Sequence, residues 1–244
     1  MKNGIKILIF FIGLLVFSCS PEYITNENPT MENYAKTSGT TSMYWDFTSL
    51  DQWIDASQNG PGYYQINDGI LKIFTHANTW ERSKVKTLSN FADGTYSWNV
   101  FVPEMGAGDM TAIGAFLYND DTHELDFEIG YGNQTLRSQL AAESDDLIVY
   151  MSSQAKPSIS IRKKIKMNQW YNLKLELKLN SKGRYVANWK IDDAIMATAQ
   201  LNYGDKTKFN IFCSVENLQF IGDHIPQQQN YALFESVEFN GSLK

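Results

Sequence analysis

From Tyr44 onward the apolar residues recur mostly at every second position, the spacing of strands with one buried face, and no long amphipathic helix competes. The clearest run is Leu173, Leu175, Leu177 and Leu179, interleaved with Lys174, Glu176 and Lys178. A turn-forming Asn180-Ser181-Lys182-Gly183 follows, then Tyr185, Ala187, Trp189 and Ile191, so this segment predicts a hairpin. The same alternation predicts strands over 69–75, 83–88, 94–102, 112–118, 124–130, 146–152, 195–201, 209–215 and 232–239. Short strands at such near-regular spacing predict an all-β fold, a sandwich of two antiparallel sheets. Neither an internal repeat nor a linker interrupts 43–244, which predicts one domain there.

The chain begins differently. Lys2 and Lys6 lead an apolar run over 7–17, too short to span a bilayer but suited to an export signal over 1–18. The run closes Val16-Phe17-Ser18-Cys19, which resembles the lipobox of bacterial lipoproteins and makes Cys19 the expected lipidation site. The other reading is ordinary signal cleavage near Ser18, and both export the protein. Residues 19–42, rich in Ser, Thr, Asn, Pro and Glu without apolar periodicity, read as a tether between anchor and domain. The expected location is therefore membrane-anchored, on the periplasmic or cell-surface side of the outer membrane.

Composition narrows the chemistry. With 244 residues, a net charge of −6 and no basic cluster interleaved with aromatics, the chain does not look built to track nucleic acid. His76, His123 and His224 show no metal-ligand spacing, so no metal site is expected. Cys213, in an apolar setting, reads as a buried structural thiol. Aromatic residues make up 14% of the chain, which suits strands and sugar-stacking surfaces.

The informative segment is His123-Glu124-Leu125-Asp126-Phe127-Glu128-Ile129-Gly130. In a strand, Glu124, Asp126 and Glu128 project to one side and Leu125, Phe127 and Ile129 to the other. A sandwich core explains the apolar side but not three aligned like charges, which repel. In a partly desolvated cleft that repulsion leaves one carboxyl protonated beside another that ionises, the equipment for cleaving a glycosidic bond. A retaining enzyme needs its two carboxyl groups about 5–5.5 Å apart and an inverting one needs a wider gap.

Glu124-Leu125-Asp126-Phe127-Glu128 resembles the Glu-x-Asp-x-Glu signature of glycoside hydrolase family 16, a laminarinase, lichenase, agarase and carrageenase group. The similarity extends upstream through Glu81-Arg82-Ser83-Lys84-Val85-Lys86-Thr87, Gly94-Thr95-Tyr96 and Val102-Pro103. Downstream it takes in Gln169-Trp170-Tyr171-Asn172-Leu173 and Asn188-Trp189-Lys190-Ile191-Asp192-Asp193. The resemblance implies a concanavalin A-like jelly roll and an exported endo-hydrolase of a β-linked polysaccharide, of β-glucan or algal galactan class. It makes Glu124 the nucleophile, Glu128 the general acid/base and Asp126 the residue that holds and tunes the pair. No cofactor is implied, and a structural calcium is common in the fold class. The chain departs from the family at Thr122, where many members carry Trp, and at Asp192-Asp193, where many read Asp-Gly.

Five further residues are candidates for holding sugar. Trp80 is a stacking platform or a structural tryptophan, and Arg82 a partner for sugar hydroxyls or an anionic substituent. Tyr118 or His123 stands in for the missing Trp, and Tyr131 lies just past the carboxylate strand. A non-catalytic carbohydrate-binding lipoprotein on the same fold is the alternative. Against it stands the presence of both Glu124 and Glu128, which binding alone does not require. A polysaccharide lyase would need a Tyr/His base beside Arg or Lys, a cluster that does not stand out.

Overall fold

The computed structural model describes residues 40–242. The predicted signal over 1–18, Cys19 and most of the predicted tether lie outside the described residues. All the described residues belong to one compact unit, Ser38–Lys244.

Alternating burial assigns each strand to one of two antiparallel sheets. The first runs β13 (Ala194–Gln200), β12 (Tyr185–Ile191), β11 (Gln169–Leu179), β6 (Gly94–Val102), β15 (Asn230–Ser242), β4 (Ile70–Thr75) and β3 (Tyr64–Asn67). β1 (Thr40–Trp45) adds to it beside the second half of β15, and it begins inside the stretch read as tether. The second sheet runs β10 (Ile159–Lys166), β9 (Asp146–Ser153), β8 (His123–Gly130), β7 (Thr111–Asp120), β14 (Asn210–Asn217), β5 (Arg82–Thr87) and β2 (Trp53–Asp55). The expected jelly-roll sandwich is therefore the fold, and the predicted 173–191 hairpin is β11 and β12, paired Leu173 to Ile191 and Leu179 to Tyr185.

Four strands went unpredicted for a common reason. β2 and β3 span three and four residues, too short for a pattern. β10 is an edge strand with only Ile165 buried, so its lysines and serines show no apolar alternation, and β1 alternates only between exposed and half-buried positions until Trp45. The one short helix, α1 (Gln134–Gln139), is capped by Asn133, whose side chain accepts a hydrogen bond from the Leu136 backbone N–H.

Between the sheets lies an aromatic-rich core in which Trp98, Trp189, Tyr96, Tyr185, Phe127, Phe209, Phe234 and Phe239 are fully buried. Cys213 is buried there as a free thiol, as expected. Two indoles tie the layers together. Trp98 Nε1 on β6 donates across the sandwich to the Phe212 carbonyl at 3.0 Å, and Trp189 Nε1 on β12 donates to the Asp126 carbonyl at 3.0 Å. Each satisfies a donor that burial would otherwise strand, and the second fixes the middle of β8 from behind. Trp189→Phe, which removes that donor and some volume, is expected to cost about 1–3 kcal/mol, read as a lower midpoint in urea unfolding.

Candidate active site

β8 is held on both edges, by β7 and β9, so its alternation is rigidly expressed. Leu125, Phe127 and Ile129 are no more than 1% exposed and face the core, worth about 1.5–3 kcal/mol each by burial. Glu124, Asp126 and Glu128 therefore point together to the outer face of the second sheet. There they meet rows of side chains running across the strands. Glu124 is level with Tyr118, Asp126 with Phe116 on one side and Ser152 on the other, and Glu128 with Gly114 and Tyr150.

The three carboxyls are in different states. Burial pushes Glu124 up from its ordinary value of 4.5 to about 7, with a contact to Asp126 and the charge of Lys84 pulling back and Glu216 pushing further. Asp126 lies well above the usual carboxylate range, first because it is buried and then because Glu124 and Glu128 are beside it. Glu128 is likewise held well up by burial, then by the charges of Glu216 and Glu124. The contact between Glu124 and Asp126 favours ionised Glu124 and protonated Asp126, so the proton of that pair resides on Asp126. Glu124 is thus the first of the three to ionise. Gln154 Nε2 donates to Asp126 Oδ2 at 2.8 Å, whereas Glu128 Oε2 is buried without a hydrogen-bond partner among the described residues.

Two cavities open in front of these groups. One, of about 520 Å³, is lined by Arg82, Lys84, Phe116, Tyr118, Glu124 and Glu128, among others. The other, of about 670 Å³, is lined by Asp126, Glu128, Tyr150, Ser152, Gln154 and Arg162, among others. Glu128 borders both, so they are two arms of one groove crossing the strands, with the carboxyls where the arms meet. The rings of Phe116 and Phe212 stack at 4.5 Å and 14° to give the first arm an apolar floor of the kind that packs against sugar C–H faces.

The predicted binding residues divide. Arg82 and Tyr118 reach the groove. The Tyr118 hydroxyl donates to Asp121 at 2.8 Å, and that bond together with burial pushes it up to about 12. Trp80 is 45% exposed and borders neither arm. His123 is packed edge-on against Tyr203 at 4.5 Å with Nδ1 2.8 Å from Asp120, a structural role in the β7–β8 turn. Tyr131 stacks under Arg137 at 3.7 Å and borders a separate cavity with His224. Thr122, at the position where a Trp was expected, is exposed and hydrogen-bonds Asp120. Trp80, His123 and Tyr131 therefore line neither arm of the groove, because nearness in sequence to the carboxylate strand, or a loop-like setting, does not bring a side chain to its outer face.

Sequence reading missed Glu216, Lys84, Gln154, Tyr150 and the two phenylalanines. The outer-face parity of β14 (Phe212, Ser214, Glu216) and of β5 (Arg82, Lys84, Lys86) was visible, but the pairing of β5 with β14 and of β14 with β7 was not. An acidic cluster of Glu143, Asp145 and Asp146 is compact enough to suggest a cation, and Lys166 Nζ already lies within 3.0 Å of all three.

No family model and no curated protein matches this sequence. Solved structures match in fold. A Bacillus licheniformis β-glucanase superposes with TM-score 0.57 at 14% identity, covering 81% of this chain and 97% of that one. The catalytic domain of an endo-1,3-β-glucanase (laminarinase) from Thermotoga petrophila gives 0.61 at 10% identity, covering 83% and 97%. A Crh5 transglycosylase in complex with NAG gives 0.61 at 14%, covering 82% and 84%. This chain shares their fold. At such identities the likeness is one of architecture, and function has to be argued from the groove.

The raised Glu124 has a consequence for stability. The folded chain holds this proton more tightly than the unfolded chain, so its contribution is complete below about pH 4.5 and is lost as pH rises through about 7. Glu124→Gln is expected to melt a few degrees above the parent at pH 8 and close to it at pH 4, read by thermal unfolding at the two pH values.

Proposed function

We propose that the chain is a retaining endo-glycoside hydrolase that cleaves a β-linked polysaccharide of β-glucan or galactan type by double displacement. The observation that carries this reading is the alignment of Glu124, Asp126 and Glu128 on one face of β8 along an open groove, with Glu128 bordering both arms, and burial that holds Glu128 further up than Glu124 supports it. Ionised Glu124 attacks the anomeric carbon as the glycosidic C–O bond breaks, and Glu128 gives its proton to the leaving oxygen. Glu128, now a base, takes a proton from water, whose oxygen displaces Glu124 and restores the starting state. Asp126, protonated beside Glu124, is itself fixed by Gln154 and, through its carbonyl, by Trp189. Tyr118 and Arg82 border the arm next to Glu124, which supports a part for them in contacting sugar hydroxyls. The names of the structural neighbours, β-glucanases among them, favour the glucan side of the substrate class.

Glu124→Gln and Glu128→Gln are each expected to lower hydrolysis of laminarin or mixed-linkage glucan by about 10³-fold or more while the fold is kept. Azide separates the roles on an activated aryl glycoside. Rescue of Glu124→Gly should give the glycosyl azide of inverted configuration, and rescue of Glu128→Ala the retained one. Parental turnover in either Gln variant overturns the mechanism.

Thr122, in place of the expected Trp, favours a second reading, a glycan-binding protein that does not cut. Binding of glucan, agar or carrageenan without any product would establish it. The export signal and Cys19 lead us to place the protein on the membrane as a lipoprotein, which predicts labelling by radioactive palmitate that Cys19→Ser abolishes.

A further inference from the structure

Beside the carboxyls lies a buried ion cluster for which the double displacement has no use. Glu216 on β14 is 1% exposed and Lys84 on β5 is 6% exposed, both on the groove side of the sheet. Glu216 Oε2 accepts from Lys84 Nζ at 2.7 Å and from Arg82 Nε at 2.5 Å, so one oxygen engages both cations. Lys84 has one other partner, Gln58 Oε1 at 3.3 Å. A buried lysine and a half-buried arginine on one buried carboxylate is a costly arrangement that a β-sandwich does not need for its core.

Its position explains the cost. Lys84 lies on the same cross-strand row as Glu128, reached through Ser214 and Gly114. Neither intervening residue carries a bulky side chain, and Glu128 has a buried oxygen free to accept. The charged or titratable groups lining the groove with Glu128 are Arg82, Lys84 and Lys86 from β5, Glu216 from β14, Glu124 and Asp126 from its own strand, Tyr150 from β9, Arg162 from β10, Asp55 from β2, and Asp121 and Asp223 from loops. β7 presents only Gly114 and Ala112 at the rows between Glu128 and the cluster, and the other sheet packs on the opposite face of β8. An ammonium group freed in that pocket would draw the Glu128 carboxylate to itself and discharge the acid.

We propose that Glu216 is a positioning residue, which occupies Lys84 and Arg82 so that Glu128 remains a neutral proton donor. The negative charge of Glu216 opposes ionisation of Glu128. The proposal rests on the reading of Glu128 as the acid, and it adds a residue that acts only through another.

The test reads the protonation of Glu128 directly, by carboxyl ¹³C NMR titration of glutamate-labelled protein with the resonance assigned by its loss in Glu128→Gln. Glu216→Gln is expected to lower the Glu128 midpoint by about 1 pH unit or more, because two cations are left uncompensated. Lys84→Met is expected to raise it, and the paired Glu216→Gln/Lys84→Met variant to return it close to the parent. Should Lys84→Met fail to fold, the paired variant, which strands no partner between the two, and Arg82→Met, expected to raise the midpoint, carry the comparison. The alkaline limb of the pH–rate profile on glucan should move in the same directions. Shifts of like sign in Glu216→Gln and the lysine or arginine variant, or none beyond a few tenths of a unit, overturn the proposal and leave the cluster a structural feature. Opposed shifts in a protein that hydrolyses no glycan would uphold the electrostatic assignment while the hydrolase reading falls. Hydrolysis without the shifts would do the reverse.

Discussion

Three carboxyl groups fixed on one face of a strand, with hydrocarbon behind them and a half-shielded groove in front, cannot all ionise, and the rest of the molecule is arranged around that constraint. Water would dissolve the conflict by screening it, so the groups must be buried enough to feel one another. They must also be open enough for a ligand to reach them. The second sheet achieves both by setting β8 inside its span, two strands from one edge, where neighbouring strands lock its alternation and leave Glu124 and Glu128 partly open to the groove. What results is an ordering of proton affinities, with Glu124 lowest and Asp126 and Glu128 well above. The chemistry we propose uses that ordering and no other special equipment.

The other sheet contributes by backing the first. The indole donors of Trp98 and Trp189 reach carbonyls of β14 and β8, the two strands that carry Glu216 and the carboxyl trio. Both contacts run from the hydrophobic core to the reverse side of the groove. The core thus sets the height of the carboxyl-bearing strand as well as the stability of the domain. Such support from packed, buried side chains holds groups more closely than loops do.

Much of this architecture was legible in the linear pattern, because burial on one face writes itself into a period of two. The hairpin of β11 and β12 and the parity of residues 124 to 128 were read from alternation alone. β10 escaped because an edge strand with one buried residue has no such imprint, and β2 because three residues cannot show a period. At the groove the limit was different. Arg82 and Tyr118 line it, but Trp80, His123 and Tyr131 were picked from loop setting or from closeness along the chain, whereas the groove is assembled across it. Glu216 stands next to Arg82 through strand pairing between residues far apart in sequence, and a single sequence does not reveal that pairing.

Gly114 gives the groove a fixed midpoint. A methyl group there would stand 2.4 Å from Ser214 Oγ and about 3.1 Å from the Phe116 ring, so bulk added on this strand must push the Ser214 hydroxyl and the Phe116 ring aside. Variation that retunes the protein toward new ligands is consequently channelled to the margins, to the Tyr118–Asp121 corner at one end and the β9–β10 connection at the other. Descendants of this scaffold would diversify at their rims while the centre stayed invariant.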